Sequence, residues 1–389
     1  MASVVSIPNS RAALRTIRAV ERGVSRTMMF LLVPVSLLVI IGLGAILSAS
    51  SVVGLRETGD GLFYFKRQIA WLVVGVVGMV VAAFIPLRWW KKLALPMFVG
   101  TLGLLVAVLF VGSQVNGATR WLIIGPISIQ PSEIAKLATI VMLATVVSRR
   151  EMSMTRYRHF FIPVVATVGV VGGLVMFQPD LGTTLLVAVG AFAVLAASAV
   201  PLRHVIGTGI AAGGAGFALA FSSPYRWARV TAFLDLQSDP LGTSYQAVQG
   251  LVALGTGGMW GVGLGASRAR WSFLPNAHTD FVFAILGEET GLAGSLAIVA
   301  MFAAFTIAGT LIALRCTDRF GRLLAVGITT WLSAQALVNI GGVVGLLPIT
   351  GVPLPFVSSG GSALVVSLVG VGILVSVARL VPPMQEPGR

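Results

Sequence analysis

Ten stretches of mostly apolar residues recur along the chain, near 28–50, 68–87, 93–112, 134–148, 160–177, 182–200, 205–222, 281–314, 322–347 and 361–380. Most approach the length, about 20 residues, that a helix needs to cross the hydrocarbon of a bilayer. No water reaches the backbone there, so a span must satisfy its own N–H and C=O groups, and a helix does this within one segment. The stretch at 134–148 is short and needs 132–136 to reach across. That at 205–222 is rich in glycine and only weakly apolar, so nine or eleven spans stand as alternatives to ten. Charged residues make up 10% of the chain and hydrophobic ones 56%, whereas a soluble domain carries roughly 25% charge. Too few charges exist to cover a water-facing surface, and the chain is too apolar to be disordered. The expected fold class is therefore an all-α polytopic membrane protein with about ten transmembrane helices. One cysteine excludes a disulfide framework or a cysteine-based metal site, and three histidines far apart argue against a histidine-rich one.

The net charge is +14, which could suggest nucleic acid binding, so its distribution decides. With the N-terminal side taken as inside, the inner tails and connections hold 18 cations, from Arg11 to Arg389. Only Glu21, Glu151, Asp318 and Glu386 oppose them, so this face carries the whole net charge. Cytoplasmic loops of membrane proteins show this excess of Lys and Arg, which places both termini in the cytoplasm. The basic residues sit in short loops beside lipid rather than along one groove, so no nucleic acid partner is expected. The organisation expected is a basic cytoplasmic tail at 1–27, one membrane domain at 28–380 and a short cytoplasmic tail at 381–389. The first apolar run is longer than the 7–15-residue core of a signal peptide, which argues against cleavage. Cys316 falls in an inner loop, where a reduced and incidental thiol is expected.

Three outer loops depart from the short pattern, at about 113–133, 223–280 and 348–360. The long one lies between the seventh and eighth spans, and a structureless loop of that length is uncommon unless functional. Its middle alternates apolar stretches with glycines, which suits a short helix or re-entrant segment followed by tight turns. The glycines of GTGGMWGVGLG mimic a dinucleotide fingerprint, but no strand–helix unit surrounds them, so that match is spurious. The third loop, with prolines at 348, 353 and 355, reads either as a headgroup-level surface or as a rigid connection.

Asp280 stands where the long loop meets the eighth span, and an acid at the edge of hydrocarbon is costly unless used or paired. It reads either as a general base at a water–lipid boundary or as a helix-start acid. Glu288 and Glu289 follow within the span, and at least one must face the interior, since adjacent helical residues are ~100° apart. Glu133, Lys136 and Arg120 are their candidate partners, with a protonated carboxyl bonded to a neighbouring helix as the alternative. The outer cations Arg120, Lys136, Arg226, Arg229, Arg268 and Arg270 cluster in the same loops as the acids. Arginine binds phosphate oxygens through paired hydrogen bonds, so these residues suit an anionic headgroup or pyrophosphate; anchoring to phospholipid is the alternative. Trp121 and Trp227, each beside an arginine, read either as rings that contact a sugar or headgroup or as an interfacial aromatic belt. Ser333, Gln335 and Asn339 in the ninth span read as interhelical hydrogen-bonding groups.

The segments NGATRWLIIGPISIQPSEIAK, FQPDLGTT, SYQAVQG, GTGGMWGVGLGASRARWSFLPNAHTDFVFAILGEETGLAG and NIGGVVGLLPITGVPLPFVSSGGSAL resemble the SEDS family, for shape, elongation, division and sporulation. The resemblance runs from the first span to the last, and favours the division members over the elongation members. It implies a ten-helix enzyme that polymerises the peptidoglycan precursor lipid II outside the cytoplasmic membrane. It places the family's essential acid on Asp280, beside His278, and further motif residues on Trp121, Lys136, Glu288 and Glu289. Two departures stand out: Asn276 replaces a common acid, and Ser358-Ser359-Gly360-Gly361 lacks the family's common tyrosine. The turn built by Ser358, Gly360 and Gly361 should survive that loss.

The expected mechanism is single displacement. The 4-hydroxyl of lipid II attacks the anomeric carbon of a glycan held on polyprenyl pyrophosphate, and Asp280 takes the proton. Cations, with or without a divalent ion such as Mg2+ or Mn2+, stabilise the leaving pyrophosphate. A lone base suffices because the leaving group is already anionic. The resemblance further implies a class B penicillin-binding protein transpeptidase as partner, with other division proteins, at a bacterial septum. The basic tail is expected to contact anionic membrane lipid or cytosolic division proteins. A lipid II flippase, using Lys136, Glu288, Glu289 and Asn339 as a polar path, and a non-catalytic division scaffold are the rival readings.

Overall fold

The computed structural model describes residues 10–115, 118–125, 127–150, 157–221, 227, 231, 233–236, 242, 244–269, 271 and 279–381. Helix α1 (Ser10–Thr58) continues from the basic tail through the first apolar stretch without a break. It is followed by α2 (Phe63–Phe84), α3 (Leu87–Val111) and, after a small sheet, α4 (Pro131–Arg150). The fifth stretch is α5 (Tyr157–Val164), a π-helical turn (Val165–Gly169) and α6 (Val170–Phe177). Then come α7 (Leu181–Ala196), α8 (Leu202–Phe221), α9 (Tyr245–Gly257), α10 (Val282–Arg315), α11 (Arg319–Val343) and α12 (Gly361–Ala378). Each of the ten apolar stretches is helical. Among the described residues, eight helical segments are long and apolar enough to cross a membrane, and Leu181–Ala196 is a shorter apolar helix of 16 residues.

The helices sort by what surrounds them. Most of α2 and α3 is uncovered by protein, and Val73, Val77, Phe84 and Phe110 point outward, as lipid-facing side chains do. Helices α4, α11 and α12 form the centre. This explains the weak apolar signal of 134–148: a helix enclosed by other helices can carry Ser132, Glu133, Lys136, Thr139 and Thr145, all buried, because its polar groups find protein partners. Cys316, between α10 and α11, is also buried, and that burial pushes its thiol up from the ordinary value.

Two features correct the all-α expectation of uninterrupted helices. The first outer loop contains an antiparallel sheet of β1 (Ser113–Val115), β2 (Ala118–Ile124) and β3 (Ile127–Ile129). In it Ser113 pairs with Trp121, and Leu122 with Ile129. Its β-branched isoleucines flank Gly125, at φ 60°, where the chain reverses. Secondly, the run at 281–314 is not one continuous helix. At Gly291 the backbone leaves the helical region, with φ 67° and ψ −164°. That conformation is essentially confined to glycine.

Thirty-four helical residues would reach about 51 Å at ~1.5 Å per residue, well beyond a hydrocarbon core of about 30 Å. The break divides α10 into a buried start, where Val282 to Glu289 are all enclosed, and the long segment that follows. The loop after α9 covers the broken backbone. Val262 and Gly263 donate N–H groups to the carbonyls of Glu288 and Glu289, while Leu292 and Ala293 donate to those of Gly258 and Met259. A Cβ at position 291 would lie 2.6 Å from the Met259 carbonyl carbon. Gly291→Ala is therefore expected to cost at least about 1–3 kcal/mol. A lowered melting temperature and new protease cleavage within 258–269 would register it; an unchanged melting curve would remove Gly291 as the reason for the break.

Candidate functional site

Asp280 lies in a turn one residue before Phe281, the N-cap of α10. It is half-buried, whereas Phe281 behind it is fully packed. The acid therefore sits outside the helix rather than at its cap. Its backbone carbonyl accepts a hydrogen bond from Asn339 Nδ2 at 2.8 Å, and the same nitrogen donates to the Val352 carbonyl at 2.7 Å. One amide thus joins the start of α10 to the third outer loop. Asp280, Phe281, Asn339, Thr350 and Gly351 are among the residues lining a small pocket at this junction.

Four residues earlier on α11, Gln335 repeats the device on the same face, because i and i+4 side chains stack along a helix. Its Nε2 donates to the Pro353 carbonyl at 2.9 Å. Its Oε1 accepts from Trp331 Nε1 at 3.0 Å and from Lys136 Nζ at 2.8 Å. Lys136 also bonds Glu133 at 2.8 Å, with both side chains almost wholly buried, and lies over the Trp331 ring. Burial of an ion pair is tolerable when further hydrogen bonds complete it, as Gln335 does here. Lys136 is consequently committed to α4 and α11 and is not exposed to solvent. Ser333 bonds Thr306 at 2.7 Å, so all three polar residues of the ninth span make interhelical or helix–loop bonds as expected.

Arg120, on β2, reaches the turn after α6. Its Nε donates to the Gln178 carbonyl at 2.9 Å, another nitrogen donates to the Pro179 carbonyl, and a third lies 3.9 Å from Asp180. Asp180 caps α7 by accepting from Thr183 N at 3.1 Å and Thr183 Oγ1 at 2.9 Å. A Cβ on Gly182 would meet Val352 at 2.6 Å, so this turn abuts the third outer loop. Asp180, Gln335 and Asn339 were not assigned to the site from sequence. An Asp three residues before a Thr at a helix start was the available signal for the first.

The glutamate pair does not meet Lys136 or Arg120, which corrects the expected partners. Glu288 accepts from Ser267 Oγ, from Arg268 N at 3.0 Å and from Ala269 N at 3.2 Å; Glu289 accepts from Ser48 of α1. Both are buried, and both pin the long loop and α1 around the Gly291 break. The side chain of Arg268 is exposed, and Trp121 is partly so. Trp227 stacks on Phe221 at 4.1 Å. Ser358 accepts from Leu354 N at 2.9 Å and holds the turn that precedes α12. Gly360 caps that helix, and a Cβ on Gly361 would enter the Trp71 indole of α2, so the turn persists without the tyrosine. Arg226, Arg229, Arg270, Asn276 and His278 lie outside the described residues.

Among the described residues no three His, Cys, Asp or Glu side chains gather into a metal site. Mg2+ keeps much of its water and commonly uses one or two carboxylates with substrate phosphates. Asp280 is the carboxylate that could contribute to such an ion at the pocket.

Among the described residues, eight membrane-length helical segments, with a polar network where their ends meet two loops, define a polytopic membrane protein with a candidate site at one end of its bundle. A family model described as cell cycle protein, covering FtsW, RodA and SpoVE, matches residues 27–381, and the chain belongs to that family. It is 38% identical over 352 residues to a Geobacter sp. protein bearing the name "Probable peptidoglycan glycosyltransferase FtsW", covering 90% of this chain and 96% of that protein. It is 39% identical to stage V sporulation protein E of Bacillus subtilis, again over 90% of this chain and 96% of the relative. A solved structure described as a peptidoglycan synthase complex coordinating polymerization and crosslinking contains a chain with TM-score 0.73 and 29% identity, covering 90% of this chain and 96% of that one. The rod shape determining protein RodA of Thermus thermophilus aligns with TM-score 0.66 and 28% identity over 90% and 96%.

Proposed function

We propose that this chain is a peptidoglycan glycosyltransferase that polymerises lipid II on the outer face of the cytoplasmic membrane during septal wall synthesis. The observation that carries the mechanism is the placement of Asp280, a half-buried carboxylate at a pocket whose rim is tied to the third outer loop by Asn339. Asp280 accepts the proton of the lipid II 4-hydroxyl as its oxygen bonds the donor's anomeric carbon. The bond from that carbon to the pyrophosphate oxygen breaks, the anomeric centre inverts, and polyprenyl pyrophosphate departs with the electron pair. A general base of this kind contributes about 10²–10⁴-fold.

Arg268, exposed on the long loop, is the described cation available to the pyrophosphate, with Arg226, Arg229 and Arg270 assigned there by position in the same loop. A divalent ion, when bound, would add charge neutralisation at the same oxygens. Trp121 on the adjoining sheet supplies an aromatic face to the sugar or headgroup, and His278 precedes the base by two residues. Arg120, Glu133, Lys136, Glu288 and Glu289 hold the loops in place, and Ser358, Gly360 and Gly361 shape the third loop. The site faces outward, with both termini in the cytoplasm, and about ten helical segments form the membrane domain at 28–380. A class B penicillin-binding protein crosslinks the product, and further division proteins assemble with the pair.

The test is the purified protein, with and without its transpeptidase, incubated with fluorescent lipid II. Glycan ladders on a gel are the expected product. No polymer in either arm, together with headgroup translocation in proteoliposomes, would replace this reading with the flippase.

A further inference from the structure

Asp280 stands at one end of the first segment of α10. At the other end is Glu288, a buried carboxylate that takes no part in the displacement as described. Among the described residues it forms no salt bridge. Its bonds run instead to three successive residues of the long outer loop: the hydroxyl of Ser267, Arg268 N at 3.0 Å and Ala269 N at 3.2 Å. Ser267 and Ala269 are buried, whereas Arg268 between them is exposed. One carboxylate thus fixes the backbone at the point from which an arginine side chain leaves the protein.

The chain on either side of Arg268 is held as well. A Cβ at Gly261, where φ is 81°, would lie 2.1 Å from the Glu289 carbonyl oxygen, so the loop is pressed against α10 there. Ala266 N donates to the Gly263 carbonyl at 3.2 Å, and Trp271 N to the Arg268 carbonyl at 3.1 Å. The guanidinium itself is uncommitted: among the described residues it forms no ion pair and no hydrogen bond. Other cations at the outer ends of the helices are engaged by the protein, Lys66 by Asp60, Arg67 by Ser128, Arg120 by the 178–180 turn and Lys136 by Glu133 and Gln335. An arginine held in place but unpaired suits paired bonding to phosphate oxygens, and a preorganised cation needs no rearrangement as charge develops.

From residue 280 to residue 288 the chain advances about 12 Å at ~1.5 Å per residue. Groups that serve the incoming and the departing oxygen of a single displacement flank the sugar carbon about 6.5–9.5 Å apart. Side chains reaching into the gap from residues 280 and 268 would close it to that range. The segment between is enclosed from Val282 to Glu289 and stops at the Gly291 break, so packing sets its length. We infer that this segment is a strut, with the proton acceptor at one end and Arg268 placed for the pyrophosphate at the other, and that Glu288 is the positioning residue for Arg268. This rests on the glycosyltransferase reading, in which polyprenyl pyrophosphate leaves. Glu288 touches no substrate and acts through the arginine.

The test is a double-mutant cycle read by binding, with the purified full chain titrated with farnesyl pyrophosphate and, separately, farnesol. Arg268→Gln should weaken farnesyl pyrophosphate about tenfold, the loss of one charge-assisted contact, and leave farnesol unchanged. Glu288→Gln should weaken farnesyl pyrophosphate by a similar factor, and should add less than about twofold when Arg268 is already Gln. Losses that add in the double variant, or that extend to farnesol, would mean that Glu288 only holds the fold together and would overturn the inference. So would pyrophosphate binding that ignores either residue. Should Glu288→Gln misfold, Ser267→Ala decides: it removes one of the three bonds and should weaken farnesyl pyrophosphate only while Arg268 is present. Failure of the glycosyltransferase reading shows differently, as wild-type protein that makes no glycan from lipid II; failure of this inference alone shows as unaltered pyrophosphate affinity in variants of a protein that does.

Discussion

Asp280→Asn should reduce glycan synthesis from lipid II by about 10²–10⁴-fold, the contribution of a positioned general base. The substitution replaces one oxygen by nitrogen and removes the proton acceptor. The bond from Asn339 is to the backbone carbonyl of residue 280, which Asn retains, and the N-cap of α10 is Phe281. Melting of the variant at the wild-type temperature would show that the loss is chemical. The proper readout is the initial rate with lipid II saturating, beside the melting curve. Retention of more than about a tenth of the wild-type rate would remove Asp280 as the base, since even the lower bound of that contribution is larger.

The second large effect is on stability. Lys136→Met should destabilise the protein by about 3–5 kcal/mol, the cost of leaving one member of a buried ion pair without the other. The stranded member is Glu133, which is 1% exposed and whose second carboxylate oxygen already lacks a partner. Gln335 would keep its bond from Trp331 and its own bond to the Pro353 carbonyl, so the damage should centre on Glu133. The double variant Glu133→Gln/Lys136→Met removes both charges and should recover much of the loss. Thermal melting of the four proteins in one detergent measures the coupling. If Lys136→Met melts like the wild type, the pair contributes nothing net.

The two predictions test different parts of one design. On α11, Gln335 and Asn339 lie one helical turn apart and grip consecutive carbonyls, those of Pro353 and Val352. Gln335 connects this grip to the buried ion pair, and Asn339 connects it to Asp280. A side chain that contacts no substrate can in this way fix the rim of a site, as catalytic placement to within a fraction of an ångström requires.

What could be read along the chain were features carried by neighbouring residues. Each apolar stretch announced a helix, and the middle of the long loop announced a short one, found as Tyr245–Gly257. The β-sheet of the first outer loop is not legible in the sequence because its strands are three to seven residues long, too short for an alternating pattern to stand out beside a helix. Gly291 does not stand out in the sequence because a lone glycine in an apolar run is common, and nothing local marks the one where the helix breaks. The partners of Glu288 and Glu289 are not legible along the chain for a related reason. Lys136 and Gln335 are 199 positions apart, and Ser48 and Glu289 are 241 apart; such pairings have no local signature.

By itself the sequence determined that this chain must live in a bilayer, that one face of it carries the whole net positive charge, and that an acid waits at one helix start. Transfer energies and positive charge near lipid act residue by residue, so they can be summed along the chain. Only the tertiary structure decided which polar groups are used up inside and which remain available. Hydrogen bonds saturate: once Glu133 and Gln335 hold Lys136 it is no longer free for a substrate, and this exclusivity is settled by which helices pack together.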